Sequence, residues 1–150
     1  MASSLNGTTG PFVSVQVAVA SLDTTEAFYA GILDLPIMRA LTVTGAPGHL
    51  ILEREGWQII FVEEDDVVRN HPVLEGEFRE SPKGVGVSLH VQVTAIEEIY
   101  DAVMEEDLEV VYPLRTQPYG IKEFWCRDPD GYLVAVEETV GGGRPGKLMQ

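Results

Sequence analysis

The side chains of this chain with the most chemical potential sit two residues apart. Ser88, His90 and Gln92 alternate through GVGVSLHVQV, residues 84–93, and Ser14 and Gln16 alternate through residues 12–20. A spacing of two puts side chains on one face of a strand. Short, uncharged polar groups on such a face suit a partly enclosed cleft that hydrogen-bonds a ligand. A lone mid-strand histidine such as His90 can be a ligand-contacting group or a hydrogen-bonded structural residue. His49 and His71 read as surface or loop residues. No Ser–His–Asp set is singled out by the spacing. Neither Asp65-Asp66 nor Glu105-Glu106-Asp107 has a calcium-loop pattern. No phosphate-binding glycine loop is present. Cys126 is the single cysteine; it forbids an intrachain disulfide and reads as a buried, inert thiol beside Trp125.

The elements that must carry these residues follow from periodicity. Residues 12–20 alternate, with Val13, Val15, Val17 and Val19 on one face. Asp23 and Glu26 have capping-box spacing, and a helix through Phe28 and Tyr29 to about Ile32 follows. Pro36 disfavours helix at the residue before it. Strands are expected at 37–44, 49–54 and 57–63, with turns at 45–48 and at Glu55-Gly56. Residues 65–83 show little periodicity and read as a linker with short helical turns near Val67 and Val73. The order then repeats. A strand is expected at 84–93, with Val85, Val87, Leu89, Val91 and Val93 on one face. Thr94 and Glu97 have capping-box spacing, and Ile96, Ile99, Tyr100 and Val103 recur at helical spacing. Strands at 109–114, 121–127 and 132–138 close the series. Asp128-Pro129-Asp130-Gly131 is the turn before the last strand. Residues 1–10 and 139–150 read as flexible ends.

The repetition extends to residues. VAVEE, 134–138, lies over IFVEE, 60–64, and SLHV, 88–91, lies over SVQV, 14–17, each at a shift of 74. Two strands agreeing on one shift indicate an internal duplication. The expectation is an α+β protein of two tandem β-α-β-β-β modules, 12–64 and 84–138, with curved mixed sheets enclosing a cleft. By strand phase, the cleft takes Ser14, Gln16, Ala18, Ile59, Phe61, Glu63, Ser88, His90, Gln92, Leu133, Ala135 and Glu137. Trp57, Tyr119 and Trp125 supply nearby aromatic surface.

Charge narrows the partners. A net charge of −14 over 150 residues disfavours nucleic acid and anionic membrane surfaces, which require clustered Lys and Arg. It favours cationic ligands. The start, MASSLNGTTG, lacks a basic region followed by an apolar run, and no apolar stretch approaches spanning length. A cytoplasmic location is the expectation.

Two modules of this order, with LDTTEAFYAGILDLPI after the first strand and FWCRDPDGYLVAVEE at the end, resemble the glyoxalase, bleomycin-resistance and extradiol-dioxygenase group, the vicinal oxygen chelate superfamily. The resemblance covers residues 12–138. It implies a homodimer, and a divalent metal held at four strand positions in the metal-dependent members. Matched to this sequence, those positions are Gln16, Phe61, His90 and Ala135, expected to converge on one cleft. Phe61 and Ala135 offer no donor atoms, so the preferred expectation is no bound metal or other cofactor. The chain is then expected to be a small-molecule-binding protein, with Glu63 and Glu137 available to a cationic group. The alternative is a metal-dependent lyase, isomerase or dioxygenase that uses Gln16, His90 and Glu137 as ligands. A third reading is an interaction protein that retains the fold without a small ligand.

Overall fold

The computed structural model describes residues 13–40, 48–54, 56–80 and 82–140. Among them the chain makes two compact units. The first contains β1 (Val13–Val19), α1 (Leu22–Glu26), β2 (Met38–Ala40), β3 (His49–Arg54) and β4 (Trp57–Glu63), followed by α2 (Glu64–Asn70) and α3 (Glu75–Arg79). The second contains β5 (Ser88–Gln92), α4 (Ile96–Glu105), β6 (Val110–Thr116), β7 (Ile121–Arg127) and β8 (Leu133–Thr139). The expected residues 12, 41–47 and 55, and both chain ends, lie outside the described residues.

Each unit builds a four-stranded sheet, ordered β1-β4-β3-β2 in the first and β5-β8-β7-β6 in the second. The first and last strands pair in parallel and the other neighbours antiparallel. Two β-α-β-β-β modules are therefore present. The parallel pair needs a long crossover, which the helix and the two middle strands supply.

After α1 the chain continues as a π-helical turn, Ala27–Ile32. Phe28 and Tyr29 of this turn are both buried, and the Tyr29 ring stands 4.7 Å from that of Phe61. Ser21 is the N-cap and accepts from the Thr24 N–H at 3.2 Å. This corrects the expected cap at Asp23. Asp23 lies within the first turn and pairs with Arg39, as does Glu26. The stretch expected to be a linker is largely helical, and α2 buries Val68. Arg79 of α3 reaches back to Glu64 and Asp65.

In the second unit α4 buries Ile96, Ile99 and Val103, the apolar spacing read from the sequence. Tyr100 meets Phe124 edge-on, with ring centroids 5.0 Å apart. The expected strand from residue 84 begins only at Ser88. Gly84 and Gly86 have φ of +69° and +84°, which an extended chain cannot accommodate. A turn closed by the Val87 N–H on the Gly84 carbonyl, 2.9 Å, replaces it. Val85 and Val87 are exposed as a result, rather than packed under the helix. The Asp128 turn forms as read. One carboxylate oxygen, Oδ1, accepts from the N–H groups of Asp130 and Tyr132, each at 2.9 Å.

The two modules share a cap that the sequence did not reveal. Glu63 Oε2, at the end of β4, accepts from the Leu22 N–H at 3.0 Å. Glu138 Oε1, near the end of β8, accepts from the Ile96 N–H at 3.0 Å. Each carboxylate satisfies an orphan donor at the start of its module's helix. Thr94, expected to cap α4, does not; Ala95 holds the N-cap position and makes no side-chain bond. Replacing Glu138 with alanine should lower the unfolding free energy by about 1 kcal/mol, the usual cost of a lost cap. Urea denaturation of the two proteins measures it.

Candidate functional site

Strand register decides which side chains face away from the helices. Gln16 lies opposite Ile60 across β1 and β4, and His90 opposite Ala135 across β5 and β8. The first strands are related by a shift of 74, as expected. The last strands are related by 75, because Ile60 corresponds to Ala135. The shared cap agrees, since Glu63 plays the part of Glu138. A slip of one residue moves every side chain of a strand to the opposite face.

The expected cleft set changes accordingly in the first unit. Ser14, Gln16 and Ala18 lie on the face opposite Val17 and Phe61. Phe61 is buried, with Val17 as its strand partner and its ring 4.7 Å from that of Tyr29. Ile59, Glu63 and Trp57 share its side of the strand and leave the expected set with it. Gln58, Ile60 and Val62 take their places. Gln58 Nε2 stands 3.5 Å from Ser14 Oγ. Its Oε1 is buried with no hydrogen-bond partner among the described residues.

In the second unit the phase holds. Ser88 lies opposite Leu133, His90 opposite Ala135, and Gln92 opposite Glu137. Trp125 is the other neighbour of Ala135, and Glu123 is the other neighbour of Glu137. These side chains form a connected polar face. His90 Nδ1 is 2.8 Å from Glu137 Oε2, and His90 Nε2 is 3.1 Å from Ser88 Oγ. Gln92 Nε2 donates to Glu137 Oε1 at 3.0 Å. The indole of Trp125 stands edge-on to His90, with centroids 5.4 Å apart.

A second carboxylate gathers the rest of this face. Glu123 Oε1 accepts from Trp125 Nε1 at 3.2 Å, and Oε2 accepts from Gln117 Nε2 at 2.8 Å. The Tyr119 hydroxyl is 3.5 Å from Oε2. Gln117 also donates to the Tyr112 hydroxyl at 2.9 Å. Partial desolvation, and then the Glu123 carboxylate, push the Tyr119 phenol above its ordinary range. Tyr112, Gln117 and Glu123 were missed from the sequence. Glu123 alternates with Trp125 in EFWCR, and this spacing of two could have found it.

The metal implied by the resemblance can be tested against these side chains. Ile60 and Ala135, at the last-strand positions, are hydrocarbon. Both nitrogens of His90 are engaged, by Glu137 and Ser88. Among the described residues no group of three or more His, Cys, Asp or Glu side chains is arranged to hold a metal ion. The residues do not fit that metal, and no chemistry is routed through it.

Two β-α-β-β-β modules, each with a parallel first-and-last strand pair, define the glyoxalase-like fold. The chain belongs to the Glyoxalase/Bleomycin resistance protein/Dioxygenase superfamily, whose family model matches residues 12–136. Solved structures agree on the fold. A glyoxalase/bleomycin resistance protein/dioxygenase from Nocardioides superposes with a TM-score of 0.58 at 18% identity, over 96% of this chain and 93% of that one. A glyoxalase-related enzyme from Fulvimarina pelagi gives 0.60 at 11% identity, over 87% and 89%. A protein of unknown function from Agrobacterium tumefaciens gives 0.58 at 21% identity, over 91% and 99%. No curated protein matches the chain. No helix among the described residues is long and apolar enough to cross a membrane.

Proposed function

We propose that this chain is a small-molecule-binding protein of its superfamily and that it receives a cationic ligand on the helix-free face of its second module. The observation that carries the reading is the grouping around Glu123. Trp125 and Tyr119 stand beside a carboxylate, and a second carboxylate, Glu137, lies across the strand pair. Aromatic faces attract a cation by their quadrupole, at about 0.5–2 kcal/mol each. The net charge of −14 adds a long-range field of the same sign. Ser88, His90, Gln92 and Ala135 complete the contact surface within the second module. Trp57, Phe61 and Glu63 have no part in it.

Calorimetric titration with benzyltrimethylammonium tests the reading. Binding is expected, weakening as salt is raised because the attraction is screened. Glu123→Gln should weaken it about tenfold, equivalent to about 1.4 kcal/mol. Equal affinity for the uncharged isostere neopentylbenzene would sink the cationic assignment.

A further inference from the structure

Ser88, His90 and Glu137 form a linear relay that a simple contact surface does not require. The carboxylate of Glu137 can only accept a hydrogen bond. In the neutral imidazole, His90 Nδ1 must therefore carry the proton it shares with Glu137 at 2.8 Å. Nε2 is then the acceptor, and the Ser88 hydroxyl 3.1 Å away is the donor. Gln92 holds the other oxygen of Glu137 at 3.0 Å, which fixes the carboxylate and through it the ring. A hydroxyl hydrogen-bonded to a base, with the base oriented by a carboxylate, is the arrangement that activates a serine nucleophile.

A second feature gives such a nucleophile something to act on. Ser88 lines a cavity of about 700 Å³ together with Lys83, Gly84, Gly86, Arg127 and Leu133. That volume lies in the range of small-molecule sites, about 300–1,000 Å³. Lys83 and Arg127 bring cationic groups to its wall, and Arg127 is paired with Glu109 at 3.8 Å. Asp130 also lines it.

We propose that Ser88 is a nucleophile toward short-chain carboxylic esters, with His90 as its general base and Glu137 as the positioning residue for His90. Ser88 Oγ bonds to the ester carbonyl carbon as its proton passes to His90 Nε2. The carbon–oxygen bond to the alcohol breaks, and the alcohol leaves with that proton. Water then adds to the acyl carbon, giving one proton to Nε2. The bond to Ser88 breaks, Oγ recovers the proton, and the carboxylic acid departs. Water is the only co-reactant. This inference stands on the relay and the cavity; it shares Ser88, His90, Gln92 and Glu137 with the proposed cation surface but requires no bound cation.

A fluorophosphonate probe tests it directly on the full chain. The expected result is one covalent adduct, mapped by peptide mass spectrometry to Ser88, with acetyl transfer from p-nitrophenyl acetate to the same residue. Ser88→Ala should abolish both. His90→Gln should slow labelling by about 10²–10⁴, the usual contribution of a general base. Circular dichroism confirms that each variant is folded, and mapping on the unmodified protein serves if one is not. No adduct on the folded wild-type chain, or an adduct elsewhere, overturns the proposal. Loss of benzyltrimethylammonium binding with Ser88 labelling intact would count against the cation reading alone.

Discussion

Phe61→Ala is expected to remove about 3–5 kcal/mol from the unfolding free energy, the usual cost of truncating a buried aromatic. Phe61 is 1% exposed. Its ring packs on Tyr29, and its strand neighbours Val17 and Leu50 are buried with it. The alanine would leave a cavity under the helix that closes only in part. Binding of a cation on the second module should be unchanged, because Phe61 belongs to the opposite face of the other unit. A residue lining a ligand surface would behave the other way, costing little stability and altering affinity. Urea denaturation and calorimetry on one pair of proteins separate these outcomes. Phe61→Leu, which keeps much of the volume, should cost less than half as much if packing is the cause.

That experiment concerns the point at which the sequence misled. The order of elements was legible because alternation and helical spacing are strong in both modules. The duplication was legible because SVQV and SLHV carry the same pattern. The slip arose at the last strands, where each copy presents two glutamates in a row. Aligning Glu63-Glu64 with Glu137-Glu138 looks perfect by residue type. In the structure Glu63 corresponds to Glu138, because both cap a helix, while Glu64 starts α2. Capping is a long-range contact, between residues 41 or 42 apart in the chain, and no local pattern encodes it. One residue of error was enough to place Phe61, Ile59 and Glu63 on the wrong face. At the corrected position Ile60, like Phe61, is a hydrocarbon side chain. The relay through Ser88 was unreadable for another reason. Its parts were on the expected face, but their order of contact depends on side-chain rotamers and on Gln92 holding Glu137.

Stability should fall steeply in alkali, and Cys126 should be a main cause. The thiol is fully buried. Desolvation, and then the nearby Asp128 charge, push its pKa up to about 12 from an ordinary value of 9.0. In the unfolded chain the thiol ionises at the ordinary value. Between those two points the folded protein holds a proton that the unfolded chain has lost, so the unfolding free energy falls as pH rises. The stability is complete below about pH 9 and declines toward pH 12 at about 1.4 kcal/mol per unit. It levels off once the folded thiol ionises too. Tyrosine and lysine side chains also titrate there, so the informative quantity is the difference between wild type and Cys126→Ala. The variant should be less stable at pH 7, from lost packing, and should gain on the wild type as pH rises above 9. Denaturant midpoints at half-unit intervals from pH 7 to 11 measure the crossing. Parallel slopes for the two proteins would mean that the thiol does not ionise on unfolding, and the assignment of the alkaline loss to Cys126 would fail. The same burial predicts that a disulfide reagent at pH 8 leaves the folded protein untouched and reacts with one thiol per chain in denaturant. Few molecules then expose a thiolate, and exposure and ionisation together set thiol reactivity.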